Sequence, residues 1–347
     1  MAVFSFASAS GILASVLPYL PERIGRALLA LPADLQDKIE EIRLRRGRPA
    51  MIHFGSDDLV LSEAGKPLVV EEKEILFTLQ QAGNSSLYAY EEEIRNGFLT
   101  IAGGHRLGLV GQVAVEGGKI KTLRHPGGLN LRLVRELPGV GEPVLPYLLE
   151  DVGDAQRQVR SGLIISPPQA GKTTLLRDLA RLLSSGLVQA GWRGVKVGLV
   201  DERSELAACY QGVPQRDVGL RTDVLDGCPK AEGIMLLLRS MSPAVIVVDE
   251  IGRPNDVAAI AEAINAGVAL LATAHGKDLD DLRRRPMFRE LLAAGVFQRY
   301  IILSRRLGPG TLEAVLDENG RPLAPFGGRR GWGRNMAGPN GVGGEPK

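Results

Sequence analysis

Cysteine is nearly missing from this chain of 347 residues: Cys209 and Cys228 are the only two. That is too few for a disulfide framework or a four-cysteine zinc site. A reducing, cytoplasmic compartment is the simplest reading. Aromatic residues make up 5%, which leaves few platforms on which nucleic-acid bases could stack. No stretch reaches the roughly 18 apolar residues that a membrane-spanning helix needs. An excess of either charge is lacking too. The 42 basic residues face 40 acidic ones, for a net charge of +2, so no global field draws in nucleic acid. Of the four histidines, His53, His105 and His125 have no metal-ligand spacing with cysteine or aspartate, and no transition-metal site is expected. The apolar start, Met1 to Leu20, lacks the basic opening of a signal peptide, since the first cation is Arg23. An amphipathic helix is the expectation there.

What is present is a globular composition, 44% hydrophobic and 24% charged, on a chain long enough for two domains. Residues 1–140 read as a smaller α+β domain. Helical spacing runs from Ile12 to Leu31 and from Glu71 to Gln81. Strand patterns cover Glu41–Arg45, Ala50–Phe54, Phe98–Ala102, Arg106–Val115 and Leu129–Leu133, with Gly103-Gly104 and Gly117-Gly118 as turns. A linker is expected around Pro138 and Pro143. Residues 145–318 alternate apolar strands with helices, the rhythm of an α/β fold built on a mostly parallel sheet. The strands predicted are Leu163–Ile165, Val195–Val200, Val245–Val248, Val268–Thr273, Tyr300–Leu303 and Leu312–Leu316. Helices are predicted over Thr173–Leu183 and Asp256–Ala266. Residues 319–347 are rich in glycine and proline and poor in core formers. They are expected to be a disordered tail, in which Arg329, Arg330 and Arg334 surround Trp332.

Four motifs carry chemistry. The run Ser166-Pro167-Pro168-Gln169-Ala170-Gly171-Lys172-Thr173 joins a strand to a helix. It fits the phosphate-loop pattern except at its first glycine, which is Ser166. Backbone N–H groups at such a helix start wrap phosphates. Lys172 reaches the terminal phosphates, and the Thr173 hydroxyl, with Thr174 behind it, faces a magnesium shell. The second motif, Val245–Val248 followed by Asp249 and Glu250, reads as a buried strand ending in a metal-holding acid and a catalytic base. The third, Val197–Val200 followed by Asp201, Glu202 and Arg203, lies between these two in sequence, as if an extra strand separates them. The fourth is Thr273-Ala274-His275-Gly276, whose histidine would sense a phosphate. Arg203, Arg221, Arg239 and Arg253 are candidates for the positive charge that phosphoryl transfer needs.

With these segments in place, the chain resembles the secretion-type ATPases of type II and type IV systems, in the RecA-like P-loop class. It is most similar to the stage III sporulation AA family of spore-forming bacteria. The resemblance rests on these motifs and on Cys209–Gln215, Arg221–Leu225, Pro229–Gly233, Arg239–Pro243 and Asp249–Arg253, and it covers roughly residues 12–316. It implies a magnesium-dependent ATPase, with Glu250, Lys172, Glu202, His275 and Arg239 catalytic and residues 166–174 around ATP. Thr173 and Asp249 would hold the metal. It further implies a homo-oligomeric, six-membered ring, peripheral at the inner face of a membrane, working with membrane proteins of a channel between mother cell and forespore. Glu41–Arg45 and Gly103–Arg106 resemble the family's substrate-facing domain. Two readings compete: a RecA-like motor stimulated by nucleic acid, using Arg43, Arg45, Arg46 and Arg48, and a nucleotide-dependent scaffold without hydrolysis. The scarcity of aromatics speaks against the first, so no nucleic-acid partner is expected, and Glu250 speaks against the second.

Overall fold

Prolines divide the N-terminal helical pattern into pieces. In the computed structural model, which describes residues 11–83, 97–153 and 156–329, the segment forms α1 (Gly11–Val16), a 3-10 turn (Leu17–Tyr19) and α2 (Glu22–Leu29). Pro18 lies in the first turn of its piece and Pro21 is the N-cap of the next, where a missing N–H costs nothing. The helical signals from Ile12 to Leu31 are thus realised as separate short pieces. Residues 1–10 lie outside the described residues.

Helix α3 (Ala33–Gln36) leads into strands β1 (Glu41–Arg45), β2 (Met51–Phe54), β3 (Asp57–Val60), β4 (Ser62–Glu63) and β5 (Lys66–Pro67). After them come α4 (Glu72–Ala82), β6 (Phe98–Ile101), β7 (His105–Glu116) and β8 (Lys119–Arg132). Six of these strands form an antiparallel sheet in the order β3-β2-β1-β8-β7-β6. Alternation decides its faces: Ile42 and Leu44 of β1 are buried while Arg43 and Arg45 are exposed. The buried side joins Leu13, Ile24, Leu28, Ile75 and Leu79 in one core. Strands β7 and β8 outrun the expected Arg106–Val115 and Leu129–Leu133. β6 pairs with β7 only over 105–108 and β1 with β8 only over 128–132, so residues 111–126 continue as a two-stranded ribbon. A bulge opens it at Gly111, where any Cβ would come within 2.1 Å of the His125 carbonyl oxygen.

His105 starts β7 in a buried, directional network. The Val134 N–H donates to its Nδ1 at 3.2 Å, so Nε2 carries the proton and donates to Ser15 Oγ at 2.8 Å. Ser15 Oγ in turn donates to the Ile12 carbonyl at 2.6 Å. Burial, helped by the nearby Arg216 charge, depresses the His105 pKa to about 4.

The second part begins with α5 (Leu145–Leu148), β9 (Leu149–Gly153), β10 (Gln156–Val159), β11 (Gly162–Ser166), α6 (Lys172–Ser185), β12 (Val197–Asp201) and β13 (Thr222–Asp226). It continues with α7 (Lys230–Ser240), β14 (Val245–Val248), α8 (Pro254–Asn265), β15 (Ala269–His275), α9 (Leu279–Arg283) and α10 (Pro286–Ala293). Strands β16 (Arg299–Ser304), β17 (Thr311–Leu316) and β18 (Pro322–Arg329) end it. An eight-stranded sheet runs β13-β12-β14-β15-β11-β16-β17-β18, parallel through β16 and antiparallel beyond it. Every residue of β11, β12 and β14 is buried, as expected of parallel strands covered on both faces.

Three expectations change here. The strand that separates β11 from β14 in space is β15, which ends in His275; β12 lies on the far side of β14. Pro322–Arg329, assigned to a disordered tail, is the edge strand β18, paired with β17 through bulges. Proline is tolerated on an edge, where its missing N–H interrupts no central ladder. Residues 330–347, with Arg330, Trp332 and Arg334, lie outside the described residues. Finally, the contacts divide the chain into a unit of Met1–Glu136 with Ala208–Arg216 and a unit of Leu137–Ala207 with Asp217–Lys347. The linker near Pro138 is one of three covalent crossings. In the first unit, the Gly103 N–H donates to Gln215 Oε1 at 2.9 Å, and Arg216 donates to the Gly104 carbonyl at 2.9 Å.

Candidate active site

The phosphate-loop residues leave the buried end of β11 and enter α6. Gly171 is the N-cap of α6 with φ 88°, in the left-handed region, and no side chain caps the helix. Its first N–H groups are thus kept for a ligand. Ser166 has no positive φ; the loop's unusual torsion falls instead on Gln169, at φ 58°. That accounts for serine at the motif's first position: no glycine conformation is required there. Ser166 is fully buried, and its hydroxyl donates to the Pro167 carbonyl at 2.9 Å. Pro168 and Gln169 are exposed and Ala170 is buried, while Thr173 and Thr174 are half-buried in the first turn of α6.

Lys172, Glu250 and His275 meet. The Lys172 ammonium has no acceptor, so it donates to His275 Nδ1 at 2.9 Å. Nε2 then carries the ring proton and faces Glu250 Oε1 at 3.3 Å. Burial pushes the Lys172 pKa down, and the carboxylates of Asp249 and Glu250 pull against that shift. Arg203 reaches the other Glu250 oxygen at 3.5 Å.

Thr273 arranges the two acids. It is fully buried on β15, and parallel pairing of Val248 with Ala272 sets it beside the end of β14. Its hydroxyl donates to Asp249 Oδ1 at 2.7 Å and accepts the Glu250 N–H at 2.9 Å. Its carbonyl accepts the Ile251 N–H at 2.9 Å. These bonds hold Glu250 at φ 31°, a conformation that costs on the order of 1 kcal/mol outside glycine.

Glu202, expected to be catalytic, is occupied otherwise. It pairs with the buried Lys230 and, at 3.0 Å, with Arg253. Burial alone would raise its pKa, but the Lys230 ammonium and the Arg253 and Arg203 guanidiniums together outweigh it and hold the carboxyl below its ordinary value. A carboxylate committed to two cations is a strut, and it ties β12 to the starts of α7 and α8. Asp201 is a strut as well. Its buried carboxylate accepts the N–H groups of Glu205, Leu206 and Ala207 at 2.8–2.9 Å. Arg177, on α6, donates to the Glu205 and Leu206 carbonyls at 2.7 and 2.5 Å.

Of the four candidate arginines, Arg203 and Arg253 belong to this cluster. Arg221 does not, because it donates to the Ser184 carbonyl at 2.7 Å, at the far end of α6. Arg239 also stays apart, lining a groove between α7 and α8, so the structure does not support its catalytic assignment within one chain. Lys230, Thr273 and Arg177, whose contacts position the cluster, were not singled out from the sequence. Lys230 and Thr273 sit inside segments the sequence had singled out, but their partners come only from the sheet order.

These residues fit a magnesium nucleotide: an uncapped helix start, a buried ammonium beside it, and Asp249 at the end of a nearby strand. Among the described residues no group of three or more His, Cys, Asp and Glu could hold a metal by itself.

Solved structures share this fold. The ATPase DotB of Legionella pneumophila matches with a TM-score of 0.51 at 14% identity, over 81% of this chain and 77% of that one. The pilus retraction motor PilT with bound ADP matches with a TM-score of 0.50 at 15% identity, over 78% and 76%. At these identities the likeness establishes a RecA-like P-loop fold, preceded by a smaller α+β region. Sequence carries the relation further. The stage III sporulation protein AA of Bacillus subtilis (strain 168) is 46% identical over 305 residues, covering 88% of this chain and 95% of that protein. The model of the family "Sporulation stage III, protein AA" matches residues 15–323, and the chain belongs to that family.

Proposed function

We propose that the chain is a magnesium-dependent ATPase that works as a homo-oligomeric ring, six-membered by its resemblance, and powers or assembles a membrane-associated channel between mother cell and forespore. One observation carries the enzymatic part. Lys172, Asp249, Glu250 and His275 converge where adjacent parallel strands β11, β15 and β14 end. Open α/β sheets place their ligands at these strand ends. The bound nucleotide supplies the phosphoryl group and magnesium spreads its charge. The chain's own residues do the rest. The α6 N–H groups and Lys172 hold phosphate, while Thr173 and Asp249 hold the metal. Glu250 takes a proton from water, and the His275 Nε2–H keeps its carboxylate in place. Membrane attachment through partner proteins is what the family resemblance supports; no helix among the described residues is long and apolar enough to cross a membrane.

Two variants test this reading. Lys172→Ala should abolish ATP binding in a titration, because the triphosphate loses its charge partner. Glu250→Gln should keep binding and lose about 10²–10⁴-fold in turnover, the contribution of a general base. Full affinity in the first, or unchanged hydrolysis in the second, would remove the assignment.

A further inference from the structure

The β7–β8 ribbon belongs to the first unit of the chain and the α7–α8 groove to the second, and neither is part of the nucleotide cluster. On the ribbon, Val113 and Val115 share one face of β7, and their partners across the hairpin are Leu123 and Ile120. The four side chains form one apolar strip, with Val115 62% exposed, Ile120 43% and Val113 40%. A two-stranded ribbon is marginal in water by itself, and an exposed aliphatic strip marks a contact surface. Cations flank it: Arg124, and Lys121, which pairs with Glu116.

In the groove, α7 and α8 leave a volume of about 620 Å³ between them. Ala231, Ala258 and Ala259 keep its walls low, so that a strand can approach closely, and Met235 adapts to what enters. Leu236 stands 51% exposed beside them. Glu232 and Glu262 supply two negative charges in the same walls against the single positive charge of Arg239.

We propose that the ribbon of one copy docks in the α7–α8 groove of a second copy. The apolar strip covers the alanine and methionine walls, and Arg124 and Lys121 meet Glu232 and Glu262. The two surfaces differ, so the contact is head-to-tail, and repeated from copy to copy it closes a ring or grows a filament. The proposal rests on the ring reading above for self-association only, and not on ATP hydrolysis.

Cys228 lines the groove and is partly exposed, whereas Cys209 is buried, which makes the test direct. The full chain carrying Val115→Cys should, under mild oxidation, give a ladder of disulfide-linked dimers, trimers and larger species. Adding Cys228→Ser should remove at least nine-tenths of it. Dimers that persist in the Cys228→Ser background would show ribbon meeting ribbon and overturn the proposal. Absence of any cross-link at concentrations where light scattering shows assembly would overturn it too, as would a chain that stays monomeric throughout. Charge reversal is the second arm. Lys121→Glu with Arg124→Glu should lower the molar mass, and Glu232→Lys with Glu262→Lys in the same chain should restore it. If Val115→Glu instead abolishes sedimentation with anionic phosphatidylglycerol vesicles while no ladder forms, the ribbon serves a bilayer and the proposal falls. ATP titration of the same samples separates the two readings, since a chain that cross-links but binds no ATP loses only the ATPase assignment.

Discussion

At the residue scale, Thr273 joins Asp249, the proposed metal ligand, to Glu250, the proposed base. Thr273→Val keeps shape and volume but removes the hydroxyl, so Asp249 Oδ1 loses one of its two donors and the Glu250 N–H is left with that oxygen alone, 2.9 Å away. Displacement of a catalytic group by about 1 Å can cost roughly 10²-fold, so turnover should fall about 10- to 100-fold with ATP affinity nearly kept. Thr273→Ser should restore it. Equal losses in the valine and serine variants would show a packing role only. Why was this residue not legible as functional? Asp249 and Glu250 could be singled out as candidates, because a run of branched aliphatics ends in two acids and needs no partner to be read. The work of Thr273 depends on which strand lies next to β14, and no local pattern encodes that. Glu202 shows the reverse: an acid at a strand end looked reactive, yet Lys230 and Arg253 commit it to structure.

At the element scale, His105 ties α1 to the start of β7 through Ser15, and only the neutral ring can do so, because Nδ1 must accept from Val134. The unfolded chain takes up a proton near pH 6.5 and the folded one only near 4. The stabilisation is therefore complete above 6.5 and is lost as the pH falls from there through about 4, amounting to about 3 kcal/mol. Urea unfolding followed from pH 7 to pH 4 should show this loss, and His105→Gln should flatten it. An imidazole that NMR finds titrating near 6.5 in the folded chain would contradict the network. Element types were mostly readable from periodicity, and the failures have separate causes. β13 escaped because Thr222–Asp226 is polar and only half-buried at a sheet edge. Of the ribbon, the β7 half was read as part of Arg106–Val115; the β8 half escaped because Pro126, Gly127 and Gly128 interrupt its alternation, although the backbone stays paired through bulges.

At the scale of the whole molecule, composition indicated two parts but not how the chain shares itself between them. Residues 208–216 leave the second unit to complete the first and then return, anchored beforehand by the three N–H groups on Asp201. Nothing in their composition marks them as a guest, since their partners, Gly103 and Gly104, lie more than a hundred positions away. A truncation is consequently a poor dissection of this protein. A fragment ending at Glu136 omits part of its own fold, and one starting at Leu137 carries a piece that belongs elsewhere. Grafting residues 208–216 by a flexible linker onto the end of the 11–136 fragment should raise its stability in urea by about 1–3 kcal/mol, the scale of a few restored buried polar contacts. Identical unfolding curves would return the excursion to the second unit. If the graft does stabilise, a gene cut at any single point yields one piece with a gap and one with a loose end.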